Sequence, residues 1–203
     1  MKKTLAKSAT ILFHPLIMPT LGVMIIFYSG SYISFLPEDI KRIILLVIGA
    51  NTLGLPLLMM PLFVQFNVIS SFTMETNKER VMPLGFTLIP YSLSVYFLVR
   101  LPIPTIISAY MIGATVAVLV CLVTSVWWKI SIHMVGVGGL FGFLIAFSIR
   151  LYTDVLIYLI ITLIITGLLA AARLYLKAHK PLQVYLGFIV GFIVMLSSIL
   201  LFG

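Results

Sequence analysis

Charged residues divide the sequence into long stretches that carry none. The seven uncharged windows cover residues 8–37, 43–74, 81–99, 101–128, 130–149, 155–172 and 181–203. A helix that crosses a bilayer needs about 20 apolar residues, and a charge at the centre of the bilayer is costly. The windows therefore predict an all-α fold: a polytopic helical membrane protein with seven transmembrane helices in one bundle.

One window leaves a second topology open. Residues 81–99 form one of the two shortest windows and include Pro83 and Pro90. Proline removes a backbone N–H and bends a helix, so we expect this segment to be a short or kinked span, or a re-entrant one. A re-entrant segment would leave six spans and would change the side on which later loops emerge.

The composition agrees with a membrane protein and excludes other classes. Lys, Arg, Asp and Glu make up 9% of the 203 residues and 62% are apolar, whereas soluble domains carry about 25% charged residues. A soluble globule and a disordered chain are excluded. The net charge of +8 reflects cations that flank spans and does not indicate nucleic-acid binding. Residues 1–203 contain no evident linker or repeat and are expected to form a single domain, with the first apolar run retained as an anchor.

Two pairs of glycines stand at the spacing that lets membrane helices pack closely. Gly138 and Gly142 form one GxxxG pattern, and Gly187 and Gly191 form another. The absence of a side chain permits backbone contact between helices. We expect these glycines to pack helices within one chain, with a dimer face as the alternative.

Three groups of cations and histidines stand just before predicted spans. They are Lys78 with Arg80, Lys129 with His133, and Arg173 with His179. Two spans separate each group from the next in a seven-span chain, so all three should emerge on one side of the membrane. Because helix N-termini and Arg side chains bind phosphate, the sequence indicates an anion site there. Cations that merely anchor each helix to lipid headgroups are the alternative.

The third histidine is different. His14 stands alone inside the first apolar window and is followed by Pro15. A single histidine in such a stretch is more often a hydrogen-bonded structural residue than a catalyst. We therefore expect His14 to have a structural role.

The stretch around His179 resembles a known family. From Ala172 to Gln183 the sequence reads Ala-Arg, five residues, His, three residues and Gln. This is similar to the third motif of the type 2 phosphatidic acid phosphatases, which reads Ser-Arg, five residues, His, three residues and Asp. Ala172 stands where that family has Ser, and Gln183 stands where it has Asp.

Two weaker similarities precede this motif. The stretch from Ile130 to His133 keeps the Ser and His of the family's second motif, Pro-Ser-Gly-His, at the same offset. The stretch from Lys78 to Pro83 keeps the residue types of its first motif, a Lys, six residues and Arg-Pro, but not the spacing. The resemblance covers roughly residues 75–191.

The resemblance implies a metal-independent phosphatase that works through a phosphohistidine. His179 would attack phosphorus, and His133 would protonate the leaving oxygen. The phosphate would be held by Arg173, Arg80, Lys78, Ser131 and Lys129. Lys129 is added for its position beside His133 and is not part of the family's motif. Phosphoryl transfer depends on positioning and charge stabilisation, so this set would need neither a metal nor a cofactor.

Gln183 is the main departure from the family pattern. In the family the Asp at this place accepts a hydrogen bond from the nucleophilic His, and an amide oxygen can accept but carries no charge. Glu75 or Glu79 could supply the missing carboxylate instead. Gln183 also stands at the third position of a helix that begins with Pro181, where a Gln can cap the helix. Orienting His179 and capping the helix are compatible roles.

The expected substrate is a phosphorylated lipid, such as phosphatidic acid, phosphatidylglycerol phosphate, a polyprenyl diphosphate or a lipid A phosphate. The expected partners are therefore membrane lipids, with no nucleic acid and with the oligomeric state open. One alternative is a catalytically degenerate relative that binds or moves an anionic lipid, and another is a small membrane transporter. We expect a multi-pass protein of a bacterial inner membrane, although the charges do not decide which face carries the site.

Overall fold

Seven helical spans run through the described part of the chain. The computed structural model describes residues 2–72, 74 and 76–203. The seven helices that are long and apolar enough to cross a membrane are Lys3–Tyr28, Glu38–Gln65, Lys78–Leu98, Thr105–Ser125, Ile132–Leu151, Leu156–Tyr175 and Pro181–Phe202. The prediction of an all-α bundle with seven spans is confirmed, and the chain is a multi-pass membrane protein.

The first span is broken near its middle. Helix α1 covers Lys3–Leu12, a short 3-10 turn covers Pro15–Ile17, and helix α2 covers Met18–Tyr28. The break falls at His14 and Pro15, because Pro15 has no backbone N–H to continue the ladder of α1. The span begins earlier and ends earlier than the window at 8–37 predicts, and it carries Lys3 and Lys7 into the bundle.

The second span contains a local widening. Helix α3 covers Glu38–Gly49, a π-helical turn covers Ala50–Gly54, and helix α4 covers Leu55–Gln65. The described residues after this span, 66–72, 74, 76 and 77, are non-helical. The window at 43–74 thus overestimated the C-terminal end of this span, since an uncharged loop is indistinguishable from a helix by charge alone.

The other five helices are uninterrupted. They are α5 (Val81–Leu98), α6 (Thr105–Ser125), α7 (Ile132–Leu151), α8 (Leu156–Tyr175) and α9 (Pro181–Phe202). Pro90 lies inside α5 without ending it, so the segment is a full span. The alternative with a re-entrant segment and six spans was wrong.

Helices α7 and α9 pack with their backbones in contact. A methyl group added to Gly138 or Gly142 would overlap backbone atoms of Phe188 or Phe192 in α9, and one added to Gly191 would overlap the carbonyl of Val135. These glycines pack two helices of one chain, as the GxxxG spacing predicted. The contact fixes the start of α7 against the start of α9, where the second and third sequence motifs lie.

Candidate functional site

A cavity of about 1000 Å³ enters the bundle from the end where the three sequence groups meet. Five residues singled out by sequence line it: Arg80, Lys129, His133, Arg173 and His179. The predicted convergence on one side is therefore observed. Further along the helices the walls are apolar and include Tyr91, Tyr110, Leu140 and Met195. The cavity is cationic at its entrance and apolar at its depth.

Arg80 is the most enclosed of the cations that line the cavity. It sits where the 3-10 turn Lys78–Arg80 leads into α5, and it is 4% exposed. Its Nη1 donates to the carbonyl oxygen of Ile130 at 2.9 Å, while its Nε is buried without a hydrogen-bond partner. A buried donor that is left unpaired costs free energy, so an acceptor is expected at this place.

Arg173 repeats this arrangement from the last turn of α8. The residue is half-buried, and its Nε is also buried without a partner. No described carboxylate pairs with Arg80 or Arg173, and none of the described Asp or Glu residues lines the cavity. Two guanidinium groups with open donors, and with no counter-charge among the described residues, are suited to bind an anion.

His179 lies between α8 and α9 and is 7% exposed. Its Nδ1 is 3.2 Å from Oε1 of Gln183, and the same oxygen accepts from the backbone N–H of Lys180 at 3.0 Å. An amide oxygen only accepts, so Nδ1 carries the hydrogen and Nε2 is left with a lone pair. Gln183 therefore orients His179 and caps α9 at once, which are the two roles left open above.

The charge state of His179 suits a nucleophile. Burial, together with the positive charges of Arg80 and Arg173, lowers the pKa of His179 to about 3. The ring is therefore neutral at pH 7, and its free nitrogen is available to react. A bound phosphate would offset part of this effect, since it brings negative charge beside the ring.

His133 is held by the first span. It lies in the first turn of α7, half-buried, and its Nε2 is 3.1 Å from the carbonyl oxygen of Thr10 in α1. A carbonyl oxygen only accepts, so Nε2 donates and Nδ1 is the nitrogen left for other partners. The ring of His14 stands edge-on to His133, with centroids 5.4 Å apart.

Ser131 is near the site but does not line the cavity. It is fully buried, its Oγ has no hydrogen-bond partner, and its backbone N–H donates to the carbonyl oxygen of Gln183 at 3.2 Å. This bond joins the second sequence motif to the third. Ser131 thus links the two motifs, and its hydroxyl is available to a ligand only after a local rearrangement.

Two expected contributors lie elsewhere. Lys78 is exposed and does not line the cavity, although it belongs to the same 3-10 turn as Arg80. The carboxylate of Glu79 accepts from the backbone N–H groups of Ser70 at 2.9 Å and Thr76 at 3.1 Å, so it orders this loop and does not contact His179. The other carboxylate candidate, Glu75, lies outside the described residues.

The first span contributes residues to the cavity wall that were not predicted from the sequence. Lys3, Lys7, Thr10 and His14 all line the cavity. The signal available in the sequence was the His-Pro pair, which marks a break within an apolar run. Within the described residues, no group of three or more His, Cys, Asp or Glu side chains is placed to hold a metal ion.

Comparisons with protein-family models, with curated proteins and with solved structures found no match to this chain.

Proposed function

We propose that this protein is an integral-membrane phosphatase that hydrolyses a lipid phosphate or diphosphate through a phosphohistidine. One observation carries the proposal: Arg80 and Arg173 hold unpartnered, buried Nε donors beside a neutral histidine. Three features are thereby combined, namely an anion site, a nucleophile and a cavity with apolar walls. The resemblance of the three sequence motifs to the type 2 phosphatidic acid phosphatases points to the same chemistry.

In the first step, Nε2 of His179 attacks phosphorus and the bond between phosphorus and the lipid oxygen breaks. Arg80 and Arg173 bind the equatorial oxygens, on which the negative charge is spread. The hydrogen bond from Nδ1 of His179 to Gln183 keeps Nε2 facing its target. Because Gln183 is neutral, it stabilises the phosphohistidine less than a carboxylate would.

The leaving oxygen needs a proton, and His133 supplies it. The carbonyl oxygen of Thr10 accepts from Nε2 of His133, and the negative charge of a bound phosphate favours a second proton, on Nδ1. Nδ1–H of the imidazolium then protonates the leaving oxygen, and His133 becomes neutral. In the second step the neutral His133 removes a proton from water, the water attacks the phosphohistidine, and phosphate leaves with His179 regenerated.

The shape of the cavity favours a lipid over a soluble phosphate ester. Beyond the cations, the walls are formed by apolar and aromatic side chains from α5, α6, α7 and α9. A substrate that lies across both parts has a phosphate head and an apolar chain. Burying that chain is favourable by about 25 cal/mol per Å², which a water-soluble ester would not gain.

The proposal is tested with purified protein in detergent. It should release phosphate from a panel of phosphatidic acid, phosphatidylglycerol phosphate and farnesyl diphosphate with a chelator present. His179→Gln should abolish release, whereas Arg100→Gln, an exposed cation that stacks on Tyr96, should retain it. A radiolabelled phosphoenzyme that is stable to base and labile to acid should form only with His179 present.

The neutral Gln183 favours one competing function, a protein that binds an anionic lipid without turnover. This competitor predicts saturable binding of phosphatidic acid, no phosphoenzyme and no phosphate release by the wild-type protein. Full phosphatase activity of His179→Gln would refute the proposed mechanism outright.

A further inference from the structure

His14 occupies a position that the two-histidine mechanism does not use. It stands in the break between α1 and α2, half-buried, and lines the same cavity as Arg173 and His179. Its ring lies 5.4 Å from that of His133, with an angle of 79° between the ring planes. His14 is therefore next to the group that serves the leaving oxygen.

The hydrogen bond at Nδ1 decides where the proton of His14 lies. The backbone N–H of Leu16 donates to Nδ1 of His14 at 3.4 Å. A backbone N–H cannot accept, so Nδ1 is unprotonated and the neutral ring carries its hydrogen on Nε2. His133 has the reverse arrangement, because its Nε2 is taken by Thr10. One ring thus offers an Nε2–H and its neighbour a free Nδ1.

A neutral donor suits this cavity. Arg80, Arg173 and Lys129 already bring positive charge to the entrance. A bound phosphate also has to offset the imidazolium of His133, so a further cation would be costly there. The Leu16 N–H opposes a second proton on His14 because two donors would then face one another. The ring can consequently donate a hydrogen bond without adding charge and without giving up its proton.

We propose that His14 is a third substrate-contacting histidine, whose Nε2–H donates a hydrogen bond to the bridging or leaving oxygen of the phosphate ester beside His133. The inference rests on the proposed function and adds a catalytic residue to it. No bond to His14 forms or breaks, since the proton that the leaving oxygen receives comes from His133. The contact strengthens as negative charge develops on that oxygen, so it acts on the transition state more than on binding.

The competing interpretation is that His14 only caps the turn at Pro15–Ile17 through its bond to Leu16. Three variants separate the two roles. His14→Asn keeps an oxygen acceptor for the cap and an N–H donor. His14→Ser keeps an acceptor, but its only donor is an O–H one bond from Cβ, which reaches less far than Nε2–H or the Asn amide. His14→Ala removes both groups.

The experiment measures kcat, KM and melting temperature for the three variants and the wild type, with the substrate that the panel selects. We expect Asn to retain activity within about fivefold and Ser to lower kcat by about tenfold or more, because a hydrogen bond to a charged oxygen is lost. KM should change little, and the Asn and Ser variants should have the same melting temperature. Equal kcat for Asn and Ser, or a Ser defect that follows a lower melting temperature, would overturn the inference.

A second measurement separates this inference from the proposed function. Orthovanadate binding to the detergent-solubilised protein is measured by calorimetry, which needs no turnover. Weaker binding by His14→Ser than by His14→Asn supports a donor at His14 even if the wild type hydrolyses nothing, in which case only the proposed function fails. Equal binding by the two variants contradicts the donor role whether or not the protein is a phosphatase.

Discussion

The two ends of the bundle each bury a cation, and they satisfy it differently. At one end Lys41 is 3% exposed, and its Nζ lies 2.7 Å from a carboxylate oxygen of Glu38 and 2.7 Å from the carbonyl oxygen of Ser34. It also stands 5.3 Å above the ring of Tyr28. At the other end Arg80 is about as enclosed, but its Nε has no partner and no described carboxylate neutralises it.

The two residues differ in how their charge is compensated: Lys41 is paired within the protein, whereas Arg80 keeps an open donor. The partners of Lys41 come from its own region of the chain, so its charge is compensated in the empty protein. No described residue compensates the charge of Arg80, so among the described residues this cost is not offset in the empty protein. Burial alone does not distinguish the two cations, whereas the unpartnered Nε of Arg80 does.

The largest expected effect follows from removing the unpaired cation. Arg80→Gln should lower kcat by about 10²–10³-fold, since one charged donor to the transition state is lost. Its melting temperature should stay equal or rise, because an uncompensated charge is removed from the interior. Phosphate release and a thermal melt in the same detergent measure both quantities. A large fall in stability would place Arg80 in the same class as Lys41.

The next effect concerns the support of His179. Gln183→Leu should slow phosphoenzyme formation by roughly 10- to 100-fold, because the acceptor for Nδ1 of His179 is lost. Gln183→Glu is the matched variant, since it keeps an acceptor and adds a charge that stabilises the phosphohistidine. Rapid-quench measurement of the labelled enzyme compares them. A rate for Leu that equals the wild-type rate would mean that the hydrogen bond has no part in catalysis.

The paired cation should show the opposite behaviour. Lys41→Met should destabilise the protein by about 1–3 kcal/mol, because hydrogen bonds to a charged group are lost and the carbonyl oxygen of Ser34 is left without this donor. At a temperature where the variant is folded, kcat should match the wild type. Denaturation curves and initial rates test the two statements separately. A loss of activity in a fully folded Lys41→Met variant would mean that the end of the bundle that contains Lys41 also contributes to function.

The smallest effect is a difference in pH dependence. The pKa of His179 is lowered to about 3 in the folded protein, and it is about 6.5 in an unfolded chain. The unfolded state therefore takes up a proton between these values that the native state does not. The stability due to neutral His179 is complete above about pH 6.5 and falls as the pH decreases toward 3.

Between pH 7 and pH 5 the wild type should consequently lose more stability than His179→Gln, by a few degrees in melting temperature at most. Scans of both proteins at the two pH values give the comparison, and other titrating groups cancel in the difference. Parallel losses would mean that His179 is not held neutral by its surroundings.

The topology and the convergence of the cations could be predicted because both depend on where charges are absent. The uncharged windows set the number of spans, and the parity of crossings brought Arg80, His133 and His179 to one end. The motif spacing identified Gln183 as a partner of His179, and the structure has this contact at 3.2 Å.

Side-chain direction in short segments could not be predicted in the same way. Lys78 and Arg80 belong to one 3-10 turn, yet one is exposed and the other is 4% exposed. Three residues carry no periodicity from which to tell them apart. The position of His14 in the cavity wall was also not predicted, because a window of uniform hydropathy conceals the packing of α1 against α8.

The backbone contact between α7 and α9 bears on how the protein is made. The ribosome delivers α7 to the membrane two spans before α9. Until α9 inserts, the glycine face of α7 has no α9 backbone to pack against. Ser131 and His133 are then in place, but His179 and Gln183 have not entered. The hydrogen bond from His179 to Gln183 therefore cannot form before α9 inserts, and the proposed nucleophile is not oriented until that step.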